Sequence, residues 1–174
     1  KGARAKGLNL LGTGDFTHPK WFSELKAKLE PLSDTGLYSY RGLTWMLAGE
    51  VSTVYEQEGR KRKVHHLIYA PDLETVSQAN GILSKYGELG SDGRPVLTGI
   101  DSAELVERLT SISGSIVVIP AHAWTPWFSV FGSMSGFDSL EECFGEFAPQ
   151  IFAIETGLSS DPAMNWRISA LDRV

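Results

Sequence analysis

Ile116-Val117-Val118-Ile119-Pro120-Ala121-His122 is an apolar run of strand length that ends by delivering an imidazole. Short apolar runs bounded by Gly or Pro read as buried strands. The same form recurs toward the N-terminus. Leu8-Asn9-Leu10-Leu11-Gly12 leads into Thr13-Gly14-Asp15-Phe16-Thr17-His18, and Trp45-Met46-Leu47-Ala48-Gly49 leads into Glu50. Val64-His65-His66-Leu67-Ile68-Tyr69 carries two histidines within it. All 4 histidines of the chain thus lie on or near such runs, with Asp15 and Glu50 beside them. In an α/β barrel the residues just past strand C-termini converge on one face and build the active site. Imidazoles and carboxylates gathered from several strands are the donors a metal centre needs. One histidine at a strand end is more often a hydrogen-bonded structural residue than a ligand, but the full set with two carboxylates favours a site. The signal is a constellation and not a local motif, since the chain has no HExxH and no CxxC pair.

Composition sets the class. The 174 residues fit one domain with a real core, and 42% hydrophobic with 21% charged residues is ordinary for a globular protein. The apolar stretches fall well short of the roughly 18 residues of a membrane span, and no signal-peptide pattern opens the chain. The single cysteine, Cys143, excludes an internal disulfide and a thiolate zinc site, and it predicts a reducing, cytoplasmic setting. A net charge of −5 argues against a uniformly basic nucleic-acid surface. The basic cluster Gly59-Arg60-Lys61-Arg62-Lys63 reads first as a solvated hairpin tip and second as a phosphate contact. The chain opens in what reads as the last turns of a helix, Lys1 to Lys6, and stops within a helical pattern, Ala170 to Val174. A barrel needs about 200 residues or more, so part of the fold is expected to lie in a longer polypeptide.

Pro19, after a cap at Thr17 or His18, opens a helix with Trp21, Phe22, Leu25 and Leu29 on one face and Glu24 and Lys28 as an i,i+4 pair. Ser33 to Gly42 lacks a period and reads as loop. A strand from Thr44 to Tyr55 turns at Glu58-Gly59 to pair with Val64 to Tyr69 as a hairpin. Asp72 starts a helix through Leu83, Gly87 to Pro95 is a Gly-rich loop, and Asp101-Ser102-Ala103-Glu104 has the form of a capping box. A strand from Ser115 to Ala121, a helix from Ser139 and a strand from Ile151 to Glu155 follow. Strand–helix alternation of this kind predicts a mainly parallel sheet with one antiparallel pair.

Gly12-Thr13-Gly14-Asp15, Gly49-Glu50, His66-Leu67 and Ala121-His122 resemble the inner motifs of the polymerase-and-histidinol-phosphatase (PHP) superfamily. The stretches Leu11 to Pro19, Ile119 to Trp127 and Glu155 to Pro162 resemble, more closely, the endonuclease Q family, and the likeness spans nearly the whole chain. This resemblance implies an α/β fold, a distorted (β/α)7-type barrel that is incomplete in this chain, with residues 1–174 forming one partial domain. It implies two or three divalent metal ions, zinc first and manganese or magnesium next. It also implies phosphodiester hydrolysis, as a DNA endonuclease cutting 5′ of deaminated bases or abasic sites. Glu50 then matches the glutamate that bridges metals, and His66 and His122 match later histidine ligands. His65 is the alternative to His66, because adjacent strand residues face opposite ways. The superfamily's Thr-Asp-His motif falls on Gly14-Asp15-Phe16, so its ligand histidine is replaced by Phe16. His18 is expected to reach into that place, and Asp15 to ligate or orient, with Asp15 and Glu50 as the catalytic carboxylates. The outer histidine motif and the closing Asp-x-His motif are absent from these residues, which implies about half a metal site here.

The chemistry is intelligible from the residue types. A phosphodiester's negative charge repels hydroxide, and cations held by Glu50 and imidazoles neutralise that charge and acidify water. Each ligating histidine needs a partner for its other ring nitrogen, for which Glu155 or Asp15 is available. The loop after His122 is rich in aromatic residues, Trp124, Trp127, Phe128, Phe131 and Phe137. They read either as core covering the barrel end or, for Trp124 and Trp127, as a platform for an extruded base of damaged DNA. Arg94 and Arg167 are candidate phosphate contacts or surface ion-pair partners. Ser159-Ser160-Asp161-Pro162 reads as a turn before a helix or as part of the site. Two other functions fit less of the pattern. One is a phosphatase acting on a small phosphorylated metabolite, and the other is a non-catalytic module that binds DNA or a partner.

Overall fold

A two-residue turn joins the two longest strands and governs the sheet. Glu58 and Gly59 both have positive φ, 53° and 70°, the type I′ geometry whose twist matches flanking strands. The computed structural model describes residues 2–157 and 160–174. In chain order the elements are α1 (Gly2–Ala5), β1 (Leu10–Gly12), α2 (Pro19–Lys28), β2 (Glu30–Pro31), β3 (Leu37–Tyr40), β4 (Leu43–Gln57) and β5 (Arg60–Ala70). Then come α3 (Leu73–Leu83), β6 (Val96–Thr98), α4 (Ser102–Ile112), β7 (Val117–Pro120), α5 (Leu140–Phe144) and α6 (Pro162–Asn165). Short 3₁₀ turns cover Gly145–Gln150 and Ser169–Leu171. No helix among the described residues is long and apolar enough to cross a membrane.

The helix starts follow the cap chemistry. Asp72 accepts from the Thr75 amide at 2.6 Å and Asp101 from the Glu104 amide at 2.7 Å. Ser139 and Asp161 do the same for α5 and α6, at 3.1 and 2.9 Å. These bonds satisfy amides that the first helical turn leaves unpaired. His18 stands at the N-cap of α2 but its side chain makes no capping bond. The Lys28–Glu24 pair forms at 2.5 Å on the exposed face.

The sheet corrects the expectation of a mainly parallel barrel. Among the described residues the sheet is mixed, and no (β/α)7 barrel forms. Only β1 with β4 and β4 with β6 are parallel; β2–β3, β3–β4, β4–β5 and β5–β7 are antiparallel. The physical reason is the hairpin: a two-residue turn can join only antiparallel strands, and a parallel neighbour needs a long crossover. β4 is long enough to take different partners along its length. Its first half lies between β1 and β3, and its second half between β5 and β6. Two segments read otherwise from sequence are also corrected. Leu37–Tyr40 is a strand rather than loop, and no strand forms over 151–155. Glu155 nonetheless ties that segment to β7, its amide bonding Pro120 O and its carbonyl accepting from Ala123 N–H. Of the stretch Ser159 to Pro162, Ser159 lies outside the described residues, while Asp161 and Pro162 open α6.

One face of the β4–β5 hairpin carries Val51, Thr53, Val64, His66 and Ile68 and packs on α3, α4 and α5. Phe16, fully buried, closes this core above Gly49, and its carbonyl accepts from Asn80 of α3 at 3.0 Å. A Cβ on Gly49 would meet the Phe16 ring at 3.1 Å. Gly49→Ala is therefore expected to lower stability by about 1–3 kcal/mol through overpacking, read as a shift in the urea midpoint at unchanged slope.

Candidate metal centre

The opposite face of the hairpin holds the polar residues. Directly paired residues share a face, so Ser52 with His65 and Val54 with Lys63 stand on the side that also carries Glu50. β7 brings the third donor: Ala121 N–H bonds His65 O at 2.9 Å, extending the β5–β7 ladder by one step and setting His122 beside His65. Glu50, His65 and His122 each offer a ligand atom, and these atoms lie within 4.8 Å of one another. His65 Nδ1 is 2.9 Å from His122 Nε2 and 3.3 Å from Glu50 Oε1. Ligands held at 2.0–2.1 Å around a tetrahedral ion sit about 3.4 Å apart, so a small outward adjustment fits these donors to a divalent cation.

Hydrogen bonds fix the imidazole of His122. Its Nδ1 lies 2.7 Å from the Thr125 hydroxyl, and that hydroxyl donates onward to Trp127 O at 3.0 Å or His122 O at 3.2 Å. This network assigns the proton to Nδ1 and turns the Nε2 lone pair toward Glu50 and His65. Glu155, a candidate for that ring contact, instead accepts from the His122 backbone amide at 2.7 Å. The two anchors hold His122 at φ 33°, a left-handed conformation rare for a residue with a side chain.

Charges around the cluster are nearly balanced. Burial pushes the Glu50 carboxyl up, but the His65 hydrogen bond and the Arg94 charge outweigh it and leave Glu50 below its ordinary value. Burial pushes His65 down, which favours the neutral imidazole that binds metals. Arg94 Nη1 approaches Glu50 Oε1 at 3.4 Å from the Gly-rich loop, which the Ser52 N–H to Pro95 O bond clamps to β4. The buried Ser52 hydroxyl, between Glu50 and His65, has no hydrogen-bond partner among the described residues.

The other expected site residues are placed differently. The structure brings His65, and not His66, to Glu50 and His122. His66 is fully buried on the helix side of the sheet, with Nε2 3.1 Å from Thr53 Oγ1 and 3.2 Å from Ser102 Oγ. Burial pushes it down to about 3, so it is neutral. Asp15 lies at φ 46° with its carboxylate against Gly93, where a Cβ would sit 2.6 Å from it. His18 is half-buried nearby, its amide bonded to Asp15 O at 2.9 Å; neither side chain joins the ligand group. Trp124 is drawn into the fold, stacked on Phe131 at 4.7 Å and donating to Asn165 Oδ1 at 2.7 Å. Trp127 is 48% exposed. Arg167 is exposed in the turn after α6 and makes no side-chain bond to the cluster among the described residues. Thr125 and Ser52 were missed by sequence reasoning. Thr125, three residues after a candidate ligand histidine in a turn, was the traceable signal.

Comparison with known proteins agrees with this architecture. No protein-family model matches the sequence. The chain is 33% identical over 127 residues to the uncharacterized protein MJ0043 of Methanocaldococcus jannaschii, matching 72% of this chain and 13% of that protein. In structure it is similar to the lesion-specific endonuclease PfuEndoQ of Pyrococcus furiosus, with a TM-score of 0.77 and 35% identity. That match covers 93% of this chain and 37% of the other. It is also similar to endonuclease Q in complex with a 27-mer duplex substrate bearing an abasic lesion at the active site. There the TM-score is 0.80 at 35% identity, covering 97% of this chain and 39% of the other. The chain thus spans less than two-fifths of each solved neighbour and a smaller share of the curated relative.

The polar network behind the site is open to a direct measurement. Ser102 bonds His66, Thr53 and Tyr55 in the core. Ser102→Ala removes the Tyr55 hydroxyl's acceptor and one His66 partner, and is expected to cost about 1–3 kcal/mol in denaturant unfolding.

Proposed function

We propose that Glu50, His65 and His122 hold a divalent metal ion, zinc first and manganese or magnesium next, in a centre that hydrolyses DNA phosphodiesters. The observation that carries this reading is the meeting of one carboxylate and two imidazoles within 4.8 Å on a fold similar to endonuclease Q. From the resemblance we infer membership of the PHP superfamily and, as substrate, DNA cut 5′ of a deaminated base or an abasic site. We infer that Glu50 supplies the anionic ligand and His65 and His122 the neutral ones. Thr125 keeps the His122 lone pair aimed at the centre. When bound, the ion supplies positive charge against the phosphodiester oxygens and acidifies attacking water. Arg94, exposed beside Glu50, is suited to swing onto a substrate phosphate, where a guanidinium can make paired hydrogen bonds. Asp15 stands at the rim as a candidate to orient water, with His18 next to it. The remaining ligands of a complete centre are assigned to the rest of a longer polypeptide.

A second reading, a non-catalytic module, draws on Phe16. It stands in a superfamily ligand position and is wholly buried in the core, so it supplies no donor. Metal content separates the two readings. In the full-length protein, Glu50→Gln and His65→Ala are expected to lower cleavage of lesion-bearing DNA by more than about a hundredfold and to lose bound metal. His66→Gln should keep the metal. Thr125→Val should weaken metal affinity by about 10–100-fold, the usual cost of removing a ligand's own hydrogen-bond partner. Chelation should abolish cleavage and added zinc or manganese restore it. Cleavage that survives both chelation and Glu50→Gln would defeat the proposal.

A further inference from the structure

A cavity of about 1140 Å³ opens between the basic end of the β4–β5 hairpin and the loop that follows His122. It exceeds the roughly 300–1,000 Å³ typical of small-molecule pockets and takes the form of a trough. One wall is β5. Lys61 and Lys63 alternate onto the same face as His65 and advance toward it by about 6.6–6.8 Å per step, close to the separation of successive phosphates along a nucleic-acid strand. The other wall is a loop held on the free edge of β5. Lys63 N–H bonds Ser135 O at 3.2 Å, and His65 N–H bonds Phe128 O at 3.0 Å. The buried Arg62 bonds Gly136 O and covers Phe137 at 4.2 Å, anchoring the same loop.

A chain of side-chain contacts leads from the trough's lysines to the donor cluster. The Phe128 ring lies 4.7 Å from the His65 ring, and Lys63 Nζ stands 5.0 Å from Phe128 and 5.1 Å from Trp127. Trp127 then leaves about half of its surface to solvent. Lys61 and Lys63 form no ion pair among the described residues. Of the acidic residues lining the trough, Glu141 pairs with Arg173, Glu142 accepts from the Asp138 amide and Glu58 stands in the hairpin turn, while Glu56, outside the lining, lies across from Lys61 in the ladder.

We propose that this trough binds a single-stranded stretch of substrate DNA adjoining the metal centre, with phosphates on Lys61 and Lys63 and one unpaired base on Trp127. The proposal rests on the nuclease reading for the identity of the strand. Its physical basis is the pairing of a basic track with an exposed indole, the combination by which single strands are held regardless of sequence. An unpaired base is required because a duplex buries both base faces by stacking.

The test is fluorescence anisotropy of the full-length protein with a fluorescein-labelled oligothymidylate, in chelator, across a salt series. Lys61→Ala/Lys63→Ala should reduce the slope of log affinity against log salt by about 1.4, the share of two phosphate contacts on a single strand. Trp127→Ala should weaken binding by about fivefold or more, and Trp127→Phe should restore most of it. Lys26→Ala/Lys85→Ala, of equal charge change on distant surfaces, should bind as wild type. Wild-type affinity and slope in the trough variants, or an equal loss in the distant pair, would overturn the assignment. Cleavage assayed separately with added metal tells the two ideas apart. Intact binding by the trough variants of an active nuclease defeats only the trough, whereas lost binding in a protein that cuts no DNA with any divalent metal defeats only the nuclease reading.

Discussion

The β4–β5 ladder runs from Leu47↔Ala70 to Gln57↔Arg60, and its parity assigns every residue of the hairpin to a side. Because side chains alternate with period two, a slip of one residue would exchange the faces completely. His65 and His66 would trade places, an imidazole with its polar partners would turn to the site, and Lys63 would enter the core. Several interactions oppose such a slip. The I′ turn at Glu58-Gly59 fixes the strand offset, while Val64 and Ile68 must be buried. The bonds from His66 to Thr53 and Ser102 can form only in the observed register. The inner histidine thus acts on the site through the backbone, by holding its neighbour outward.

Sequence alone made the hairpin, its turn, the capped helices and the donor residues Glu50 and His122 legible, because each rests on local chemistry that survives in any fold. It put His66 forward with His65 as the alternative, and the structure reverses that order for a physical reason. Val64 and Leu67 flank the pair, so no apolar–polar alternation marks the buried parity, and only the Thr53 and Ser102 hydroxyls, remote in sequence, decide it. The barrel expectation failed although the length of β4 was nearly read, because strand and helix signals do not say which neighbours such a strand takes along its course. A strand of that length takes parallel and antiparallel neighbours at once. Leu37–Tyr40 is too short to announce itself, and it becomes a strand by pairing with the first half of β4. Trp124 and Trp127 carry the same composition signal. Their fates diverge because Asn165 lies within reach of only one indole.

Three of the six non-glycine residues with positive φ lie at or near the donors, the others being Ser33, Arg41 and Glu58. Asp15, His122 and Phe128 all have positive φ without being glycine, a conformation costing of order 1 kcal/mol or more each. Two of them are held by hydrogen bonds from elsewhere. The His122 backbone is held by Glu155 and its ring by Thr125, and the Phe128 amide by the Ser135 hydroxyl at 3.0 Å. Asp15 packs on a glycine that leaves room for its carboxylate. Side chains over-determined in this way do not relax when charge changes nearby, which is the preorganisation that electrostatic catalysis requires.

The balance at Glu50 follows from the same geometry. A carboxylate taken partly out of water needs a positive neighbour, and the His65 imidazole, which burial pushes toward its neutral form, is a poor one. Arg94 answers that need from an exposed loop at 3.4 Å, a loose and reversible contact. A divalent ion among the three donors would meet the same demand more fully and from within. The guanidinium would then be free for an approaching anion, which the proposed function takes to be a phosphate. An arginine on an exposed side chain beside a rigid donor set could serve the carboxylate and the proposed phosphate in turn, whereas one built into the rigid set could serve only the first.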